Sequence, residues 1–360
     1  MRKEVFRAGF ASVAMVILIL DTKTAISGMA EGISICLQTL IPSLFPFMLL
    51  SCILRTSSHS IPFLRKLCRL LPIPEGAETI FLIGLLGGYP VGAQCIGRSV
   101  QAGNISRENG ERMLAFCCNA GPAFIFGLGI QLFPSIGYCW WLWIIHVISA
   151  ILVGLMIPAY TKDCSHLPQT ETMSMQTALQ ISLRTMGLVC GWVVLFRVII
   201  AFCQRWFLWL LPQWLQLLFC GMLELANGCY GLAAIDSLPA RFLLFSALIG
   251  FGGCCVAMQT QSTCDGMRIR WYWIGKTMQT ILSCLLSAAL ISQEMWVVSL
   301  LTFLVLCSAG IICSKWAQKG LAFSVGKVYN QENLQRGNCH AVSQKDRTPV
   351  RLLHPQHSTQ

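Results

Sequence analysis

Charged side chains are scarce in this sequence. Asp, Glu, Lys and Arg together make up 11% of its 360 residues, whereas they make up roughly 25% of a typical soluble domain. Hydrophobic residues make up 55%, and the mean hydropathy is +0.64. This composition excludes an ordinary soluble domain. It predicts an all-α, polytopic membrane protein whose main partner is the lipid bilayer.

Acidic residues are the scarcer of the two charge types. The chain has 15 Asp and Glu against 26 Lys and Arg, so its formal net charge is +11. In a soluble chain such an excess would indicate binding to nucleic acid. Here the basic residues lie between apolar blocks and in the C-terminal tail, where they mark cytoplasmic loops by the positive-inside rule. The sequence therefore predicts no nucleic-acid partner.

Motifs of catalysis and metal binding are also missing. The sequence has no Gly-x-Ser-x-Gly elbow, no His-Glu-x-x-His pair and no phosphate loop, so we expect no enzyme and no catalytic residue. The 19 cysteines form no Cys-x-x-Cys pair, and most lie in apolar runs, where cysteine behaves as a small hydrophobic residue. The doublets at residues 117–118 and 254–255 have no neighbouring histidine. We therefore expect no metal and no cofactor.

Two apolar blocks open the chain. The first combines a basic lead with an apolar core at residues 8–20, a pattern that also fits a signal peptide. No soluble mature domain follows, so we interpret residues 1–25 as a short membrane segment. The second block, residues 26–54, is too long for one simple span and contains Pro42 and Pro46. Either a short unwound piece around these prolines or an ordinary proline-kinked span explains it.

A pattern in residues 82–94 returns in residues 248–259. Both copies have Gly-Gly, then a Val three positions and a Gln six positions after the second Gly. The matching residues are Gly87, Gly88, Val91 and Gln94 in the first copy, and Gly252, Gly253, Val256 and Gln259 in the second. Such internal similarity predicts two related halves with a site where they meet.

Glycine pairs and prolines interrupt helices at membrane depth, where freed backbone groups find no water. Each Gly-Gly segment must therefore lie inside the protein or line a cavity. A further break is predicted at Asn119-Ala120-Gly121-Pro122, within an apolar run. The Asn119 amide has either a direct function or a role in joining helices, and both interpretations stand.

The second half carries an acidic residue in apolar surroundings. Residues 177–203 and 206–223 are apolar, the latter with Pro212 inside, and Glu224 and Asn227 follow. An acidic group at membrane depth is typical of a proton or cation site. We therefore take Glu224 and Asn227 as candidates for ion coupling. A position of Glu224 at an aqueous surface explains the sequence equally well.

These patterns predict about 8–10 membrane segments in two related halves, each with a Gly/Pro-broken re-entrant or discontinuous helix. After the first segment we predict a first repeat at residues 26–160, a polar linker at residues 161–176 and a second repeat at residues 177–314, with closing spans at 273–292 and 296–313. Residues 315–360 are predicted to form a basic, disordered cytoplasmic tail. Span counting favours inverted repeats, whereas basic residues after both Gly-Gly copies favour parallel ones.

The breaks also suggest a binding site. Glycine pairs let backbone approach closely, and glutamine amides both donate and accept hydrogen bonds, which suits a polar, neutral solute. The candidate substrate-binding residues from the repeated pattern are Gly87, Gly88, Gln94, Gly252, Gly253 and Gln259. The alternative is that the Gly-Gly pairs form tight helix crossings and that the glutamines join helices.

Four segments of the first half form a recognisable set. They are IPSLFPFMLLS at residues 41–51, GGYPVGAQ at 87–94, GNISRENGERML at 103–114 and CNAGPAFIFG at 118–127. This set resembles the YlbJ-type sporulation integral membrane proteins. That family belongs to a wider group with a nucleoside-recognition, or Gate, domain, which also occurs in nucleoside transporters and in the membrane part of ferrous-iron transporters. The second copy departs from the pattern, with Cys254 and Cys255 where the first has Tyr89 and Pro90.

The resemblance implies a multi-pass protein of the bacterial cell (inner) membrane in a spore-forming organism. By position it adds Pro90, Asn119, Gly121 and Pro122 to the candidate substrate-binding residues. The first hypothesis it implies is a permease for a small polar solute, nucleoside-like by the name of the domain and linked to spore formation. The alternative is a non-transporting membrane component of spore envelope assembly that binds other sporulation membrane proteins.

Overall fold

The described part of the protein is helical. A computed structural model describes residues 2–54, 71, 73–74, 77–157, 174–264 and 266–292, and no strand occurs among them. Six helical segments in these ranges are long and apolar enough to cross a membrane. The prediction of an all-α, polytopic membrane protein is confirmed. The span predicted at residues 296–313, the tail, and residues 161–173 of the linker lie outside the described residues.

Fourteen α-helices follow one another in the described ranges. In chain order they are α1 (Arg2–Leu20), α2 (Thr22–Ile35), α3 (Ile41–Leu54), α4 (Glu78–Gly87), α5 (Val91–Gln101), α6 (Arg107–Cys117), α7 (Pro122–Leu132), α8 (Ile136–Met156), α9 (Met175–Trp206), α10 (Gln213–Leu223), α11 (Leu225–Gly231), α12 (Leu238–Phe251), α13 (Gly253–Thr263) and α14 (Arg270–Ser292). The segments able to span a membrane are α2–α3, α6–α7, α8, α9, α12–α13 and α14. A membrane position of α1 stays a prediction.

The first long segment stays helical through its prolines. A π-helical turn, Cys36–Leu40, joins α2 to α3, and Pro46 lies inside α3. This wider turn changes the register of the backbone hydrogen bonds directly before Pro42, which has no N–H to donate. An unwound piece around Pro42 and Pro46 is therefore wrong, and the segment is one continuous helical span.

Four breaks interrupt the helices of the described residues, and we number them in chain order. They are residues 88–90 between α4 and α5 (first break), residues 118–121 between α6 and α7 (second), Glu224 between α10 and α11 (third) and Gly252 between α12 and α13 (fourth). The interruptions predicted at Gly87-Gly88, at residues 119–122 and at Gly252-Gly253 are confirmed.

The breaks are of two kinds. α4 and α5 pack side by side, as do α10 and α11, so the chain turns back at the first and third breaks. α6 makes little contact with α7, and α12 little with α13, so each of these pairs forms one interrupted span. The described residues therefore show the same order in both halves: a span, a hairpin, an interrupted span and a closing span.

The two Gly-Gly motifs occupy different kinds of element. The first lies at the tip of the hairpin α4–α5, and the second lies inside the interrupted span α12–α13. By order along the chain, the counterpart of Gly252-Gly253 is the second break and not Gly87-Gly88. The equivalence inferred from the shared spacing is therefore wrong. Instead, each motif places a glycine at a point where two breaks are in contact and a side chain would not fit.

The first spans of the two halves run antiparallel. α2–α3 packs along α9, and the contacting residues follow opposite orders in the two segments. The pairs are Gly28 with Ala201, Cys36 with Cys190, and Cys52 with Ser182. Antiparallel first spans are what inverted repeats require. The structure therefore favours inverted repeats, while the proposed domain boundaries stay a prediction.

The two interrupted spans lie at the centre of the described bundle. The most apolar window of α6–α7 is 72% buried and that of α12–α13 is 67% buried, against 28–44% in the unbroken spans. Backbone groups freed by a break are costly against lipid. Their central position places the second and fourth breaks inside the protein, where other chain segments can supply hydrogen bonds.

Candidate functional site

The first and second breaks touch through glycine backbone. Gly88, at φ +72°, faces Gly121, and a β-carbon added to Gly88 would lie 2.8 Å from the amide nitrogen of Gly121. A side chain does not fit in this contact, and the left-handed φ of Gly88 is itself unfavourable for other residues. The tip of the hairpin α4–α5 therefore rests directly on the interruption in α6–α7.

The third and fourth breaks touch in the same way. Gly253 has φ +80°, and a β-carbon added to it would lie 3.1 Å from the carbonyl oxygen of Gly221 and 3.5 Å from the amide nitrogen of Leu225. Gly221 and Leu225 stand on either side of Glu224 in the sequence. Each half of the chain therefore places the tip of one hairpin against one interrupted span.

A small cavity lies beside the breaks of both halves. Its wall includes Tyr89 from the first break, Gly121 from the second, Glu224 from the third, and Val256 and Gln259 from α13, directly after the fourth. Its volume is about 30 Å³, and most of the remaining wall is apolar. The breaks of both halves therefore share one chamber with few polar groups, among them a carboxylate and an amide.

Glu224 lies inside the protein and caps a helix. It is 2% exposed, so the interpretation that placed it at an aqueous surface is wrong. Its Oε1 accepts a hydrogen bond from the amide of Ala226 at 3.0 Å, and its Oε2 accepts one from the amide of Asn227 at 2.7 Å. These two bonds satisfy the first donors of α11. The carboxylate thus holds the third break in shape while it faces the cavity.

The second candidate for ion coupling lies beside the first. Asn227 gives its backbone amide to Glu224, and its side-chain Nδ2 is buried with no hydrogen-bond partner among the described residues. A buried amide without a partner is costly. The third break therefore holds an unused donor next to a buried carboxylate.

The two glutamines of the repeated pattern are placed differently. Gln259 is 3% exposed, lines the cavity, and donates through Nε2 to the sulfur of Cys255 at 3.3 Å. Gln94 donates through Nε2 to the hydroxyl of Thr185 on α9 at 2.5 Å. Gln94 is not part of the cavity wall. The structure therefore brings Gln259 to the chamber and uses Gln94 to join α5 to α9.

The remaining candidates build the breaks around the cavity. Of the candidate substrate-binding residues, Gly121 and Gln259 line the wall. Pro90 directly precedes α5 and Pro122 begins α7, a position where the missing N–H of proline costs nothing. Gly87 packs against Ser51 of α3, since an added β-carbon would lie 2.8 Å from its hydroxyl oxygen.

Asn119 joins the second break to another helix. Its Nδ2 donates to the carbonyl of Phe116 at 2.7 Å, and its Oδ1 accepts from Nε2 of Gln279 on α14 at 3.1 Å. The structure therefore shows that the Asn119 amide joins helices. A buried amide with both ends bonded also fixes the orientation of its neighbours.

Sequence reasoning missed a buried polar cluster behind the cavity. Lys276 and Gln279 of α14 and His146 of α8 are fully or almost fully buried, and the backbone amide of Ala120 donates to Nε2 of His146 at 3.0 Å. The signal was present in the sequence, because Lys276 is a charged residue within the predicted span at residues 273–292. A charge in such a position is a functional candidate by default.

One curated relative supports the family resemblance. The chain is 26% identical over 302 residues to the sporulation integral membrane protein YlbJ of Bacillus subtilis (strain 168), an alignment that covers 69% of this chain and 73% of the relative. The chain is YlbJ-like. No protein-family model matches it, and no solved structure matches it with significance. The nucleoside-recognition, or Gate, assignment stays a prediction.

The YlbJ-like chain is a multi-pass membrane protein of a bacterium, as its apolar helices and its integral-membrane relative show. In the described state its chamber has room for about two water molecules, since one water needs roughly 10–15 Å³ by this measure. Glu224 and Gln259 supply polar contacts for such occupants. A solute as large as a nucleoside needs more space than the chamber offers, because small-molecule pockets measure roughly 300–1,000 Å³.

Proposed function

We propose that this YlbJ-like chain is a permease for a small, polar, neutral solute. The observation that carries the proposal is one chamber that is lined by three of the helix breaks and by the helix that follows the fourth, and that holds Gln259 and Glu224. Repeat-built transporters place their substrate site where broken helices meet, and irregular backbone at membrane depth is tolerated where it lines a cavity. A protein that only organised partners through its loops would have no use for such breaks. No enzymatic activity is part of the proposal.

The link to spore formation comes from the relative. That protein is named as a sporulation integral membrane protein, and we extend the same context to this chain. Nucleosides are the first solute class to test, because the resemblance to proteins with a nucleoside-recognition domain implies them. The lipid bilayer is the protein's surroundings, and nucleic acid is not among the proposed partners.

Transport through this chamber requires the breaks to separate. The small volume represents a state in which the hairpin tips are closed on the interrupted spans, at the contacts of Gly88 with Gly121 and of Gly253 with Gly221. Movement of one hairpin away from its interrupted span would enlarge the chamber on one side of the membrane. Two inverted halves supply one such hairpin each, which suits alternating access.

Replacement of Gln259 by alanine is expected to reduce solute uptake about tenfold. The loss of one buried hydrogen-bonding group to a bound solute costs about 1–2 kcal/mol, and 1.4 kcal/mol corresponds to a factor of ten. The measurement is initial uptake of labelled uridine and adenosine, with glycerol and alanine as small polar comparisons, by protein reconstituted in liposomes. Gln131→Ala is the matched control, because Gln131 is exposed and bonds only to the carbonyl of Gly127 in its own helix.

If uptake is equal in wild type, Gln259→Ala and Gln131→Ala, Gln259 does not contribute to binding of the solute. Absence of uptake for every solute class, with liposomes shown to contain folded protein, would favour the alternative of a non-transporting component of spore envelope assembly. The small volume of the chamber is the observation that supports this alternative. Spore counts in a strain whose chromosomal gene encodes Gln259→Ala then distinguish the permease from the assembly component. Only the permease is expected to need this amide for spore formation.

A further inference from the structure

Lys276 is a buried cation in the first third of α14. Its side chain is 0% exposed. Its ammonium donates to the carbonyl oxygen of Cys118 and to Oε1 of Gln279, and it lies 3.4 Å from the hydroxyl oxygen of Tyr89 and 5.5 Å from the centre of the Tyr89 ring. No carboxylate of the described residues pairs with it. All of the contacts of this ammonium are therefore made by neutral oxygens and one aromatic face.

These contacts are those of a cation site at a helix break. Cys118 is the C-terminal cap of α6, and its carbonyl stands at the negative end of that half-helix. Carbonyls of unwound backbone and half-helix C-termini are the groups that bind monovalent cations in transporters with discontinuous helices. The Tyr89 ring adds a favourable face. The amide oxygen of Gln279 and the hydroxyl of Tyr89 serve an alkali cation as well as they serve an ammonium group.

The orientation of the Gln279 amide is fixed by its other bonds. Its Nε2 donates to Oδ1 of Asn119 at 3.1 Å and to the carbonyl oxygen of His146 at 3.3 Å. Its Oε1 is thereby left to face Lys276. This second layer of hydrogen bonds aims an oxygen at the position of the ammonium independently of the lysine itself.

One further oxygen near this position has no partner. Tyr272, one helical turn before Lys276, is fully buried, and its hydroxyl has no hydrogen bond among the described residues. A β-carbon added to Gly252 would lie 3.1 Å from the hydroxyl of Tyr89 and 3.2 Å from that of Tyr272. Both phenol oxygens therefore converge at the fourth break, beside the helix turn that carries Lys276.

We propose that the second break forms a binding site for a small monovalent cation and that the chain fills this site with its own tethered ammonium, Lys276. The site consists of the Cys118 carbonyl, Gln279 Oε1 and Tyr89, with the Tyr272 hydroxyl close by. While Lys276 occupies it, the protein takes up no alkali cation there. Removal of the side chain opens the site to sodium, potassium or a small alkylammonium ion. This inference does not depend on the solute that the chamber accepts.

The test is chemical rescue of Lys276→Ala. Thermal unfolding of the purified protein in detergent is followed in choline chloride and, at the same ionic strength, in sodium, potassium and ethylammonium chloride. Wild type and Thr277→Ala are expected to respond identically to the four salts and so give the baseline, since the Thr277 hydroxyl bonds to the Trp273 carbonyl on the exposed side of α14 and to no other group of the described residues. Lys276→Ala is expected to unfold at a lower temperature in choline. A saturable rise of several degrees is expected with at least one of the smaller cations.

Two further arms keep the test decisive. Lys276→Met fills the space without a charge and is expected to gain nothing from any cation. If Lys276→Ala is recovered folded only when the extraction buffer contains sodium, potassium or ethylammonium, the rescue is seen in the yield and supports the site. Equal unfolding temperatures of Lys276→Ala in all four salts, or no folded protein in any of them, would show that Lys276 is only a structural side chain and would overturn the proposal.

Discussion

Replacement of Gly88 by alanine is expected to destabilise the protein by about 3 kcal/mol and to abolish uptake. Gly88 has φ +72° and ψ −172°, a backbone conformation that is essentially restricted to glycine and costs another residue roughly 1–3 kcal/mol. The added β-carbon also lies 2.8 Å from the amide nitrogen of Gly121, and such overpacking of backbone on backbone costs roughly 1–3 kcal/mol more. Unfolding by denaturant in detergent, followed by tryptophan fluorescence, measures the first effect, and liposome uptake measures the second.

Gly103→Ala provides a matched control for this prediction. Gly103 has almost the same φ, +73°, but nothing lies within 4 Å of an added β-carbon. Its replacement should cost the backbone penalty alone, about 1–2 kcal/mol, and leave uptake intact. A larger loss in Gly88→Ala than in Gly103→Ala would reflect the ψ of −172° at Gly88 together with its contact with Gly121. Equal losses of stability in both variants would mean that the hairpin tip does not rest on α6–α7.

The positions of three breaks followed from local chemistry. Gly88, Gly121, Pro122 and Gly252 interrupt apolar runs, and the conformational freedom of glycine and the missing donor of proline act on the residues immediately around them. Such effects need no knowledge of distant segments. The same holds for the membrane class of the protein, because composition alone excludes a water-soluble core.

The kind of each break did not follow from the sequence. A chain that turns back at Gly88 and a chain that continues past Gly121 show similar local patterns, since both have a glycine within two residues of a proline in apolar surroundings. Whether two half-helices pack on each other depends on residues far away in sequence. The shared spacing of the Gly-Gly motifs therefore suggested an equivalence that the topology contradicts. The antiparallel packing of α2–α3 on α9 favours inverted halves, a relation that the sequence left open.

Partnerships of polar side chains were the least predictable part of the site. Gln94 matched Gln259 in spacing, yet it bonds to Thr185, 91 residues further along the chain. Lys276 reaches the Cys118 carbonyl over a separation of 158 residues. A hydrogen bond between two helices depends on their rotation and depth, and neither is encoded in the pattern of one segment.

The third break has a different origin from the others, since it is made by an acid and not by glycine or proline. Glu224 ends α10 and caps α11 through both carboxylate oxygens. The sequence indicated an acidic residue at depth but gave no sign that it stabilises a break. One side chain therefore serves two roles, a structural cap and a charge in the chamber, and a neutral substitute separates them.

Glu224→Gln is expected to abolish uphill accumulation while it preserves folding and exchange. The glutamine retains one carbonyl oxygen that can accept from Ala226 or Asn227, so the loss of capping costs only about 1 kcal/mol. It removes the group that would carry a proton or bind a cation. If one proton moves with each solute, a gradient of one pH unit supports about tenfold accumulation. The variant should reach equal concentrations on both sides, whereas exchange of labelled for unlabelled solute continues.

The comparison of three variants with wild type decides whether the charge or the cap matters. Glu224→Ala removes both and should lose stability as well as accumulation, whereas Glu108→Gln, a neutral change at an exposed residue in the first turn of α6, should alter neither. Proton and sodium gradients are applied separately, so that the coupling ion is identified by the gradient that wild type uses. If Glu224→Gln accumulates solute as well as wild type under every gradient, Glu224 is a helix cap alone. Coupling would then not require the negative charge of the Glu224 carboxylate.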